Sequence, residues 1–199
     1  MSEVDICNAA LSKLGAEPIL ALTDNNNRGR AVGGRYAFVR DAELRRHRWK
    51  FAIQRVSLAA LAQAPDSDYE RQFQLPNDFL RLLPGADIRS MPDASDFRTG
   101  QSALYQIEGR RILTDLSAPL AIRYTARVVD TATFDSAFSE ALASRLAYEC
   151  CKKITGNDNE KQSCLVDYRL ALREAIQANA LESAPEEQAD DTWITARAR

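Results

Sequence analysis

The sequence predicts an α+β fold. An antiparallel helical bundle is formed by N- and C-terminal segments, with a small antiparallel β domain inserted between them and an extended acidic C-terminal tail. Three observations predict it. Apolar residues recur at helical spacing near both ends, as Ile6, Cys7, Ala10, Leu11 and Leu14, and again as Phe138, Ala141, Leu142, Leu146 and Cys150. Between residues 69 and 130 that period gives way to short apolar or alternating runs with Pro-Gly and Glu-Gly breaks. Beyond Leu181 the pattern stops, and residues 182–191 hold five acids and no base. The expected organisation is a first helical half over 1–60, a β domain over 68–131, a second helical half over 132–181 and a tail over 182–199.

The first helix opens on Ser2 as N-cap with Asp5 three residues on, an approximate capping box. Gly15 suits the position just past its end, and Pro18 blocks continuation. The polar run TDNNN (23–27) supplies a turn and a cap for a second helix, expected over about 28–48. Gly33-Gly34 inside that helix costs about 1 kcal/mol per residue relative to Ala, and points to a close backbone approach or a kink. Strands are expected at 72–76, 79–83, 103–107, 110–114 and 120–125, with Glu108-Gly109 as a two-residue hairpin turn. Residues 89–100 read as a polar loop. Helices return at Asp135, stop at Gly156, restart at Asn157 or Asp158, and carry Leu165, Tyr168, Leu172, Ala175 and Ile176 on one stripe. Arg145 and Glu149 stand at i, i+4 and can form an ion pair.

The second helix concentrates charge. From Arg28 to Arg55 nine Lys/Arg face two acids, Asp41 and Glu43, a local excess of seven positive charges in a chain of net charge -2. On a helical wheel Val32, Tyr36 and Val39 share a face flanked by Ala31, Phe38 and Ala42. Arg30, Arg40, Arg45 and Arg48 then point away, while Arg28, Arg35 and Arg46 project near its centre. Those three require carboxylate partners, in the chain or on a neighbour, because a buried unpaired guanidinium is very costly. Trp49 and Phe51 close the helix on an aromatic knot. Two readings stand: a subunit interface or solvated face, and a surface for nucleic-acid phosphates.

Composition narrows the function classes. The pI of about 5.6 argues against bulk nucleic-acid binding by the whole surface. Cys7, Cys150, Cys151 and Cys164 lack zinc-knuckle spacing, so buried reduced thiols are expected and no metal site. The only histidine, His47, lies among arginines with no nucleophile motif nearby, and Gly29, Gly33 and Gly34 lack the lysine and spacing of a phosphate loop. No catalytic residue and no cofactor are expected, though an enzyme subunit or regulatory scaffold remains a third reading. The start MSEVDICNAALSKLG carries acids where a secretory signal carries bases, and no run of about 18 apolar residues offers a membrane span. The tail ends in DTWITARAR, where Trp193, Ile194, Arg197 and Arg199 form either a docking peptide or a segment that folds back onto its own domain.

Taken in order, several stretches resemble the head-to-tail adaptor family of tailed bacteriophages, the group that includes tail tubular protein A and gatekeeper-type connectors. They are ICNAALSKLGAEPI (6–19), LRRHRWKFA (44–52), YERQFQLPNDFLRLL (69–83), YQIEGRRILTD (105–115), IRYTARV (122–128) and FDSAFSEALASRLA (134–147). The resemblance runs over about residues 3 to 181. It implies a structural virion protein, a homo-dodecameric ring docked under the portal protein that extends the DNA channel and receives the tail nozzle or tube. On that reading Arg28, Arg30, Arg35, Arg40, Arg45, Arg46, Arg48, Arg145 and Glu149 are candidate subunit-interface or channel residues. The terminal Trp193, Ile194, Arg197 and Arg199 become a candidate portal-docking tail, DNA passes non-specifically, and no membrane is involved. The alternative is a soluble nucleic-acid-binding protein using the arginine-rich helix 28–55 on phosphates.

Overall fold

The computed structural model describes residues 1–83 and 105–182. The expected polar loop at 89–100 and the tail beyond Glu182 lie outside these residues. The architecture is α+β, with four α-helices and two three-stranded antiparallel sheets among the described residues.

Local chemistry sets the helix ends. In α1 (Glu3–Lys13) the Ser2 hydroxyl accepts from Asp5 N and the Asp5 carboxylate accepts from Ser2 N, the reciprocal capping box that the sequence predicts. Gly15, at φ +63°, ends the helix: Ala16 N donates to Leu11 O and Gly15 N to Ser12 O, a Schellman pattern. The Asn8 amide then grips the following loop with two hydrogen bonds to the Ile19 backbone, 3.0 and 2.8 Å. That loop lies against α2 (Asn27–Arg46), which Asn26 caps through Gly29 N at 2.6 Å. A β-carbon on Gly33 would stand 2.3 Å from Leu22 O, and one on Gly29 2.4 Å from Asp24 O. Gly33 therefore marks the close backbone approach expected of the pair, whereas Gly34 faces open space.

Helix α3 (Ser136–Thr155) is the centre of the helical part. Asp135 caps it, Gly156 at φ +71° terminates it, and ten of its residues are buried. Helix α4 (Asp158–Leu181), capped by Asn157, runs back along it, as Cys151 meeting Cys164 and Arg145 covering the Tyr168 ring indicate. α1 and α2 pack on α3 as well. Their shared core ends in the aromatic knot: Trp49 is 1% exposed, its ring 4.9 Å from Phe138, and Phe138 lies 5.0 Å from both Phe51 and Phe134. All four cysteines are free and buried. Burial pushes the Cys7 thiol up to about 12 and the Cys150 thiol up to about 11, so neither forms a nucleophilic thiolate near neutrality.

A 3-10 turn (Lys50–Ala52) leads from the knot straight into β1 (Ile53–Leu58), so the 1–60 stretch expected to be helical ends in a strand. β1 pairs with β6 (Leu120–Ala126), and β6 with β3 (Phe79–Leu83), giving the order β1-β6-β3. A second sheet of order β2-β5-β4 joins β2 (Arg71–Gln74), β5 (Arg111–Thr114) and β4 (Gln106–Glu108). The single small sheet expected from the sequence is thus two. They share a core of Leu58, Phe73, Leu75, Ile112, Leu120 and Ile122. The hairpin turn is Gly109-Arg110 rather than Glu108-Gly109. Glu108 pairs with Arg111, and Gly109 takes the positive φ, +56°, that the first turn position requires.

The two adjacent glycines make opposite predictions. Gly33→Ala drives a methyl into a backbone carbonyl and should destabilise the protein by about 1–3 kcal/mol. Gly34→Ala meets nothing and should stabilise it by up to about 1 kcal/mol through helix propensity. Chemical denaturation of the two variants checks the contrast.

Candidate interface on the arginine-rich helix

Most of the arginines on α2 meet partners inside the chain. Arg28 pairs with Glu17 at 2.9 Å and Arg35 with Glu149 at 3.1 Å. Arg46 donates to the Tyr168 hydroxyl and lies 4.0 Å from Glu43. These three, expected near the centre of the apolar face, are half-buried or exposed and sit at its margin. Arg40 departs from expectation in the opposite sense. Predicted to point away, it is 6% exposed and pairs with Asp41 at 2.9 Å and Glu3 at 3.6 Å, with the Tyr36 ring beneath it. The cause is packing on a second side of α2: α1 brings Glu3, and the chain just past β6 brings Arg127, which shares Asp41 at 2.7 Å. Phe38 and Ala42, expected to flank the core, are exposed instead.

Between α2, α3 and α4 the ion pairs join into one seam. Glu149 accepts from Arg35 and, at 2.6 Å, from Arg145, confirming the expected i, i+4 pair. Arg145 lies over the Tyr168 ring, whose hydroxyl donates to Glu43 Oε1 at 2.7 Å. Burial first, then the Glu43 carboxylate, push the Tyr168 phenol well above its ordinary value, so it remains a proton donor. Glu43 is 3% exposed, and its backbone carbonyl accepts from the Trp49 indole at 2.8 Å. Glu43 and Tyr168 escaped the sequence reading in this role. Tyr168 looked like one more residue of an apolar stripe, and no local pattern marks a carboxylate whose partner is 125 residues away.

A basic surface remains at the C-terminal end of α2. There Arg48 is exposed with no partner among the described residues, and Arg45 donates to the Leu80 carbonyl; Arg30, likewise exposed and unpartnered among them, lies in the first turn at the opposite end. His47 stacks edge-on to Trp49 at 5.1 Å and touches Asn179 of α4 at 3.4 Å. Its pKa is lowered by burial, then by the positive charges of Arg48 and Arg81. Asn179 ties α4 to this corner through Lys50 N and Arg48 O, each at 3.0 Å. Trp193, Ile194, Arg197 and Arg199 lie outside the described residues. No group of three His, Cys, Asp or Glu among the described residues is placed to hold a metal ion, and no described helix is long and apolar enough to cross a membrane.

No protein-family model and no curated protein matches the chain.

The burial of Arg40 reverses its sequence-based placement and gives a direct test. Arg40→Ala should cost about 1–3 kcal/mol, a buried-pair penalty discounted for the partial exposure of Asp41 and Glu3. Arg48→Ala should stay within about 0.5 kcal/mol of the parent. Thermal or urea unfolding of both variants separates them.

Proposed function

We propose that the chain is a structural subunit of a phage head-to-tail connector. It would form a homo-dodecameric ring in the virion, between the portal protein and the tail nozzle or tube. The observation that carries this reading is the state of the α2 arginines. Arg28, Arg35, Arg40 and Arg46 are engaged by Glu17, Glu149, Glu3 with Asp41, and Tyr168 with Glu43. A helix neutralised in this way suits a rigid joint or a channel wall that DNA passes, since neutralised guanidinium groups release few counterions from DNA. The ordered motifs listed by resemblance add the ring and its neighbours. The exposed Phe38, Val166 and Leu170, on α2 and α4, offer apolar area for contact between subunits. Trp193, Ile194, Arg197 and Arg199 would then dock on the portal.

A second reading keeps one observation of its own. Arg30, Arg48 and Arg55 are exposed without carboxylate partners among the described residues, as phosphate contacts are in a nucleic-acid binder. The two readings part on salt and stoichiometry. Mixed with its cognate portal, a connector subunit should give a complex of fixed mass, twelve copies per portal ring on the family expectation, whether or not DNA is present. Its affinity for duplex DNA should be weak at about 150 mM salt. A monomer that ignores the portal and binds DNA with a log–log salt slope of several units would establish the second reading instead.

A further inference from the structure

A cleft of about 520 Å³ opens where the end of α2 meets both sheets. Arg45, Arg81 and Arg110 stand around it, with Phe79, Tyr105 and Ile107 among its apolar walls. Its described lining contains no Asp or Glu. Each guanidinium is oriented by a backbone carbonyl rather than by a carboxylate: Arg45 by Leu80, Arg81 by Arg46 at 3.5 Å, and Arg110 by Pro76. A carbonyl fixes the direction of a guanidinium but does not neutralise its charge, and among the described residues no carboxylate does so here. The result is a cationic, partly aromatic trough, suited to an acidic segment that also carries an aromatic anchor.

The chain contains such a segment, four residues beyond the last described residue, Glu182. Residues 186–194 read EEQADDTWI, with Glu186, Glu187, Asp190 and Asp191 ahead of Trp193 and Ile194. Helix α4, which leads into it, is anchored at Asn179 to Arg48 O and His47, and the Arg81 side chain reaches the neighbouring Arg46 carbonyl. From Glu182 to Trp193 an extended chain spans up to about 35 Å. We infer that the Arg45–Arg81–Arg110 cleft is a docking site for the acidic segment 186–194 of the same chain. Its carboxylates meet the three guanidinium groups, and Trp193 meets the Phe79–Tyr105 wall. The site holds the tail in the unassembled subunit, and it does so whether or not the subunit belongs to a connector.

The full-length chain tests this through its two tryptophans, Trp49 and Trp193. Trp49 is 1% exposed and contributes little acrylamide quenching. In the intact chain at low salt, Trp193 should therefore be quenched several-fold less than in a synthetic 183–199 peptide. Arg81→Gln with Arg110→Gln should raise the quenching to the peptide value without changing the circular dichroism spectrum. Arg169→Gln with Arg173→Gln, on the exposed side of α4, should leave it unchanged. The inference is overturned if Trp193 in the intact chain is already as accessible as in the peptide. Shielding that survives the Arg81/Arg110 change also overturns it, and shielding lost on dilution places the tail on a second copy instead.

Discussion

A buried carboxylate, Glu43, governs how the helical part is joined. At 3% exposure it has left water, which is costly unless hydrogen bonds replace hydration, and among the described residues they do so at Oε1 but not at Oε2. Tyr168 from α4 supplies the hydrogen bond at 2.7 Å, and Arg46, one turn on, supplies nearby charge and a donor to the same hydroxyl. The Glu43 backbone carbonyl takes the Trp49 indole proton, so the same residue fixes the aromatic knot. One position thus touches two parts of the fold: α4 through Tyr168, and the aromatic knot through Trp49, which packs on Phe138 just before the 3-10 turn into β1.

This constraint changes how the charge of α2 is understood. A local excess of seven positive charges suggests a grip on a polyanion. In three dimensions the acids that answer it come from elsewhere: Glu17 from the loop after α1, Glu3 from α1, and Glu149 from α3. Apart from Arg30 in the first turn, what remains without a carboxylate among the described residues lies at the C-terminal end of the helix, with Arg45 and Arg48, near Arg81 of β3 and Arg110 of the hairpin turn. Charge counted along the sequence therefore overstates the charge presented to a partner. It also misplaces it.

Much of the fold was legible because its punctuation is local. Ser2 with Asp5, Asn26, Asp135 and Asn157 cap helices through bonds spanning two or three residues, and Gly15 and Gly156 end them through positive φ. The strands at 79–83 and 120–125 followed from apolar runs and alternation, and the second is observed over Leu120–Ala126. Long-range pairing was not legible. Nothing in the sequence near Arg71 says that its strand pairs with Arg111–Thr114 in a sheet separate from β6, nor that Arg40 will be covered from its second side by α1 and Arg127. The helical wheel assumes one buried face, and α2 has two. For the same reason the seam through Glu43, Tyr168, Arg145 and Glu149 showed only its local pair, Arg145 with Glu149. The cleft at Arg45, Arg81 and Arg110 joins three elements and has no sequence signature.

The account stands on the coupling between Glu43 and Tyr168, and a double-mutant cycle measures it most directly. Unfolding free energies of Glu43→Gln, Tyr168→Phe and the double variant give the interaction term without assuming the worth of either group alone. A coupling of about 1–3 kcal/mol is predicted for a buried, charge-assisted hydrogen bond. A coupling indistinguishable from zero would contradict the account, because α2 would then be held against α4 without Glu43, by Arg46, by the Asn179 contacts just past its end and by apolar packing.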